Sequence, residues 1–255
     1  MLKQIVSIAL YTLLEALRNR LSWLVLVVAL LGIGLSGFLN EMALTESQQT
    51  QVALLAAFYR FAAAFLLATF VVTSMVREFN DKGLELLLSL SLPRAAYLLG
   101  KLAGFACLAV LPAMSFGLLT LFFSSTEQSV LWTISLICEL WIVAAFAMLC
   151  VLSFNQIMAA LSATMGFYLL ARSITALQFI ATEAQLDSST SQQFMAMVMK
   201  AISAVIPHLD TFTKTEWLVY QTGQFSELQN ILLQSLICIS LLLGAALFDL
   251  YRKNI

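Results

Sequence analysis

The stretch REFNDKGLELLLSLSLPRAAYLLGK, Arg77–Lys101, is the only long charged segment between two apolar runs that can each cross a bilayer. It holds four of the thirteen basic residues (Arg77, Lys82, Arg94, Lys101) and three acids (Glu78, Asp81, Glu85). Its middle, Leu84 to Leu92, is short and leucine-rich. Two spans need only a few polar residues to join them. This connector is long enough for a helix along the membrane surface, with charges to present to something beyond it.

Outward from the connector, the chain reads as membrane protein throughout. Of its 255 residues 61% are hydrophobic and 11% charged, with mean hydropathy +0.94. A soluble domain carries about 25% charged residues. Apolar runs are expected to span at 21–39, 52–76, 95–123, 129–152, 157–181 and 230–250. The fold class is therefore all-α and polytopic: six transmembrane helices in one membrane domain, 1–255. Pro112 is expected to kink the third span. Gly100 and Gly104 form a GxxxG pattern at its inner end, which permits close helix contact.

Residues 2–20 precede the first span. Lys3, Gln4, Ser7, Tyr11, Glu15 and Arg18 recur on one helical face, with Ile5, Ile8, Ala9, Leu13, Ala16 and Leu17 on the other. This predicts an N-terminal interfacial amphipathic helix. Charges at Glu15, Arg18 and Arg20 and the lack of a small-residue cleavage site argue that the segment is retained. The longest non-spanning region is 182–228. It contains an amphipathic stretch, Gln192 to Ile206, stopped by Pro207, and Trp217 and Tyr220 are expected to anchor it at the interface.

Lysine and arginine set the orientation. With the N-terminus in the cytoplasm, Lys3, Arg18, Arg20, Arg77, Lys82, Arg94, Lys101, Arg252 and Lys253 fall inside, and only Lys200 and Lys214 clearly outside. Both termini are then cytoplasmic.

Three charges lie deep within the expected spans, away from their ends: Arg60, Glu139 and Arg172. Such charges are costly in hydrocarbon and default to a functional hypothesis. At 1.5 Å per residue all three sit roughly 12–15 Å below the outer ends of their spans. The fourth and fifth spans are consecutive and tightly linked, so a Glu139–Arg172 ion pair is the simplest arrangement. The alternative turns Arg172, with Arg60, toward an outward cavity that would favour an anionic substrate.

Several chemistries find no support. The four cysteines (Cys107, Cys138, Cys150, Cys238) all lie in apolar runs without CxxC spacing, so neither a disulfide framework nor a metal site is indicated. There is no HExxH and no GxSxG, and His208 is the only histidine. An intramembrane enzyme would need a catalytic pair at depth, and Glu139 is a lone carboxylate there. Nucleic acid is not an expected partner.

An interfacial helix, six spans, a charged connector between the second and third, and a larger segment between the fifth and sixth resemble the permease subunit of an ABC transporter of the type-2 exporter class. Arg77-Glu78, Gly83, Glu85, the leucine run, Pro93-Arg94 and the Y-L-L-G-K of Tyr97 to Lys101 are similar to that family's connector pattern. Two features depart from it: Arg94 follows Pro93 directly, and Asp81-Lys82 precede the glycine. The I-P-H-L-D-T-F of Ile206 to Phe212 resembles a proline-containing outer segment of these permeases.

The resemblance implies a multi-pass protein of the bacterial inner membrane. It implies a separate ATP-binding subunit that grips the connector, 77–94, as a coupling helix. With no G-x-x-x-x-G-K-[ST] in this chain, ATP and its Mg would be held by that subunit and this chain would not be an enzyme. A second permease copy, identical or a paralogue, and membrane lipids complete the expected partners. The expected coupling contacts are Glu78, Asp81, Glu85 and Arg94 at the rim of a cleft filled by Leu84, Leu87 and Leu88. The implied function is ATP-driven export. An alternative keeps the fold and uses the motion to work on a periplasmic maturation or assembly partner.

Overall fold

In a computed structural model of the chain, residues 2–19, 21–42, 47–80, 93–183 and 206–252 are described. Eight α-helices fill them: α1 (Leu2–Arg18), α2 (Leu21–Met42), α3 (Ser47–Asn80), α4 (Arg94–Thr120), α5 (Thr126–Phe154), α6 (Ile157–Glu183), α7 (Thr215–Tyr220) and α8 (Phe225–Arg252). A single 3₁₀ turn, Leu209–Thr211, lies between α6 and α7. The described residues contain no strand.

Six of these helices, α2 to α6 and α8, are long and apolar enough to cross a membrane. They match the six expected spans, mostly with longer ends, although α4 stops at Thr120, short of the expected 123. The second expected span opened at residue 52, but α3 starts at Ser47. Polar Gln51 continues the helix because its amide is held: Nε2 donates to the Ser36 carbonyl of α2 at 2.8 Å. Backbone hydrogen bonding does not stop where apolarity stops.

The bundle is organised around α5. Its span window is 72% buried, against 22% for α2 and 17% for α8, so α5 is enclosed by protein while α2 and α8 offer their sides to lipid. Trp132, Leu136, Leu140, Ile142, Ala144 and Val151 of α5 are buried on several faces at once. α3, α4, α6 and α8 all pack against it. Phe146 of α5 stacks on Phe167 of α6 at 3.8 Å between ring centroids. The tight link between those helices turns on Asn155, whose φ of 54° is left-handed and whose N–H returns to the Val151 carbonyl. Pro112 lies inside α4, its ring buried. Of the cysteines, Cys138 and Cys150 are buried in the core and Cys107 is exposed.

α1 runs beside α4. Positions Ile5 and Ile8 meet Gly100, and Ala9 and Thr12 meet Gly104, so the two helices advance in the same direction. A Cβ at Gly100 would stand 2.8 Å from the Ile8 Cβ, and one at Gly104 2.7 Å from the Thr12 Cβ. Only glycine permits this approach. The expected apolar face of α1 is thus partly spent on protein: Ala16 is fully buried, whereas Leu17, placed on that same face, is exposed with Val6, Leu10 and Leu14.

Candidate functional site

Two polar clusters sit in opposite halves of the bundle, both reached by α3. Arg60 and Glu78 are 18 residues apart on that helix, about 27 Å at 1.5 Å per residue.

The first cluster lies where α3 ends and α4 begins, at the roots of the connector. Lys101 of α4 is 5% exposed. Its Nζ lies 2.6 Å from Glu78 Oε2 of α3 and 3.9 Å from Glu15 Oε2 of α1. The other Glu15 oxygen accepts a hydrogen bond from Ser74 Oγ of α3 at 2.9 Å. Tyr97, buried one turn before Lys101, lies against Glu78. A buried ammonium needs partners to stay charged. Here two carboxylates from two helices supply them. Nearby, Arg94 Nη1 donates to the Leu250 carbonyl of α8 at 3.0 Å, and its guanidinium sits 5.9 Å from the Tyr251 ring centroid.

Of the expected coupling contacts, Glu78 and Arg94 therefore hold partners within this chain. Asp81, Leu84, Glu85, Leu87 and Leu88 lie outside the described residues.

The second cluster joins three spans to the loop that follows Pro207. Glu139 of α5 is fully buried. Its Oε1 faces Arg172 Nη1 of α6 at 3.5 Å, and its Oε2 accepts from Thr213 Oγ1. Arg172 Nη1 also donates to the carbonyls of Leu209 (2.7 Å) and Phe212 (3.1 Å), and Nη2 to that of Thr213 (3.4 Å). Arg60 Nη1 of α3 donates to the same Thr213 carbonyl at 2.9 Å. The Thr213 N–H donates to Ser135 Oγ of α5 at 2.9 Å. Tyr168 of α6, 2% exposed, stands against Arg60 and Glu139.

All three intramembrane charges thus converge on one residue. Two guanidinium groups face one carboxylate, and the surplus positive charge is met by loop carbonyl dipoles. Guanidinium suits this task because its N–H groups fan out in a plane and reach several acceptors at once. Thr213 pays in backbone conformation, at φ 40° for a β-branched residue.

The rest of the loop is fixed as firmly. Gln128 of α5 and Gly223 exchange two hydrogen bonds, of 3.1 and 3.0 Å. Lys214 lies 3.3 Å from Glu227 of α8. Trp217 is 1% exposed and packs in the core, so it is not the interface anchor its sequence context suggested; Tyr220 is exposed. The reason is that α7 folds back against α3 and α5. The stretch Gln192 to Ile206 lies outside the described residues apart from its last residue.

A family model for ABC-2 family transporter proteins matches residues 38–248, which takes in the second cluster, Glu78 and Lys101 of the first, the connector and four complete spans. The chain belongs to the ABC-2 transporter family. No curated protein matches it. As an ABC-2 permease it is a multi-pass membrane component of an ABC transporter, and the family implies an ATP-binding partner subunit. In this family the membrane domain is the permease component, typically non-catalytic, with the ATPase in that separate subunit.

Sequence reasoning singled out Arg60, Glu139, Arg172 and Glu78 in the ABC-2 permease but missed Thr213, Ser135, Tyr168 and the pairing of Lys101. Thr213 stands 74 positions from Glu139, and one threonine in a polar loop carries no pattern. Lys101 offered a signal: it is a lysine placed inside the start of an apolar run, with acids at Glu15 and Glu78 on neighbouring segments.

Proposed function

We propose that this chain is the membrane-spanning subunit of an ATP-driven exporter in the bacterial inner membrane. Both termini and the connector 77–94 lie in the cytoplasm, and two permease copies, identical or paralogous, work with two ATP-binding subunits. The chain makes and breaks no covalent bonds. Nucleotide closes the partner ATPase pair, the connector is displaced, and the spans rock to release cargo outward. Asp81 and Glu85 meet basic groups on the partner, and Leu84, Leu87 and Leu88 enter its cleft.

One observation carries this reading. α3 is a single helix of 34 residues, Ser47–Asn80, about 50 Å long. One end enters the connector; further along, it holds the clamped loop through Arg60. A displacement at the connector therefore reaches the far side through one continuous element. The lysine and arginine distribution supports the orientation.

A second reading drops bulk transport and lets the loop act on a periplasmic partner. A groove of about 450 Å³ favours it, lined by Gln49 and Thr50 of α3 and by Glu216 and Tyr220 of α7. It is an open surface for a partner to dock on.

The test uses the permease purified with its ATP-binding subunit in lipid nanodiscs. Glu85→Lys is expected to lower complex-stimulated ATP hydrolysis at least tenfold while insertion is unchanged. Wild-type hydrolysis and assembly in that variant would sink the coupling contact. Passage of radiolabelled phospholipid, glycan, peptide and haem probes in proteoliposomes separates export from work on a partner.

A further inference from the structure

We propose that Lys101 is a positioning residue that locks α1 to both roots of the connector, so that α1 moves with the connector as one lever. This rests on the coupling reading above and goes beyond it. It gives α1 a working part in the stroke, where sequence suggested a membrane anchor.

Three observations converge. The first is the double engagement of a buried ammonium. Glu78, in the last turn of α3, holds Lys101 at 2.6 Å; Glu15, near the end of α1, stands at 3.9 Å. The second is that Glu15 is shared: Ser74 of α3 donates to its other oxygen at 2.9 Å. One carboxylate thereby ties α1 to α3 and α4 together. The third is the fit beside it. Gly100 and Gly104 flank Lys101 in sequence and receive Ile8 and Thr12 at separations no other residue type allows.

These contacts differ in what they can do. Glycine contact holds two helices close and acts through van der Waals packing. The ion pairs add direction. Lys101 is a point charge on a flexible stem with three donors, so it can serve two acids at once. The acids belong to different helices: Glu15 lies near the end of α1, just before α2, and Glu78 near the end of α3, just before the connector. With the connector leaving α3 at Asn80 and re-entering α4 at Arg94, any displacement of it acts on a unit of three helices. α1 then carries its exposed row of Val6, Leu10, Leu14 and Leu17 through the surrounding lipid as the unit turns. Among the described residues α1 packs chiefly on α4 and, to a lesser extent, on α2, to which it is joined in sequence.

The test is a distance measurement by electron paramagnetic resonance on the complex with its ATP-binding subunit, in nanodiscs. The four native cysteines are replaced by alanine. A spin label at Val6→Cys on α1, or at Asn80→Cys on the connector root, is paired with one at Leu233→Cys on α8. All three sites are exposed.

In the wild-type background, trapping with ATP and vanadate is expected to shift the Val6 and Asn80 distances together, by about 2 Å or more, the scale of interface helix shifts. In Lys101→Met and in Glu15→Gln the Asn80 shift is expected to remain and the Val6 shift to fall by at least half. Lys101→Arg restores it. Glu15→Gln leaves the Glu78–Lys101 pair intact, and it decides the matter alone if Lys101→Met does not assemble. A Val6 shift that persists undiminished in these variants overturns the lever. So does a Val6 label that stays still in the wild type while Asn80 moves. Stillness of both labels in the wild-type complex overturns the coupling reading itself, and the lever with it.

Discussion

Exchanging the charges at Glu139 and Arg172 tests what the second cluster is for. A simple ion pair survives inversion: Glu139→Arg with Arg172→Glu would recover what each single change loses. The geometry says otherwise. Arg172 also donates to the carbonyls of Leu209 and Phe212 at 2.7 and 3.1 Å. A hydrogen bond from a charged group contributes about 1.5–3 kcal/mol, so these two alone amount to about 3–6 kcal/mol. A carboxylate at position 172 has no proton to give them and would face carbonyl oxygens instead. Truncation by Arg172→Met adds the burden of an unpaired buried Glu139, about 3–5 kcal/mol for such a break. The two figures overlap and do not add.

The exchanged protein is therefore expected to stay at least about 3 kcal/mol less stable than wild type, even with opposite charges still paired. Arg172→Lys should fall between, since an ammonium keeps the pair but cannot span the carbonyls. The assay is twofold: half-life of the purified permease at fixed temperature, which suits irreversible unfolding, and hydrogen exchange across 206–221. Loop protection within about twofold of wild type in the exchanged protein would refute the reasoning and return Arg172 to the role of plain counter-ion.

Other outcomes follow from the same loop. Gly223→Ala places a Cβ 2.9 Å from the Trp217 ring and closer still to Gln128 Oε1; overpacking of this kind costs about 1–3 kcal/mol, to be read as a shortened half-life and raised exchange in the loop alone. Trp217→Ala empties a fully enclosed site and is expected to cost about 3–5 kcal/mol; were Trp217 a lipid anchor, the half-life would hardly change. A cysteine introduced at Glu85 is expected to react with an impermeant maleimide in inverted vesicles and not in intact cells, and the reverse pattern would invert the whole topology.

The spans were legible because each is a long apolar run, and hydrocarbon leaves a helix as the only way to satisfy the backbone. The level of Arg60, Glu139 and Arg172 was legible too, by counting residues from the span ends. What they hold was not. Thr213 gathers groups from α3, α5 and α6, and such convergence depends on how the helices are rotated, which periodicity does not specify. Trp217 misled for a related reason: an aromatic near the end of an outer segment has the composition of an interface anchor, and only the fold-back of α7 buries it. Glu78 looked available to a partner because its sequence neighbours are charged. Its actual partner, Lys101, is on the far side of the connector.

The two helices that carry the connector differ in one respect with mechanical weight. α3 has a complete ladder of backbone bonds between Glu78 and Arg60. α4 has Pro112 past its midpoint, so the Leu108 carbonyl lacks the amide proton it would otherwise receive. One leg of the connector is thus a stiff strut and the other has a proline joint toward its far end. In the proposed stroke a tug on the connector would travel whole along the strut and be taken up as bending at the joint, which would turn a straight pull into a tilt.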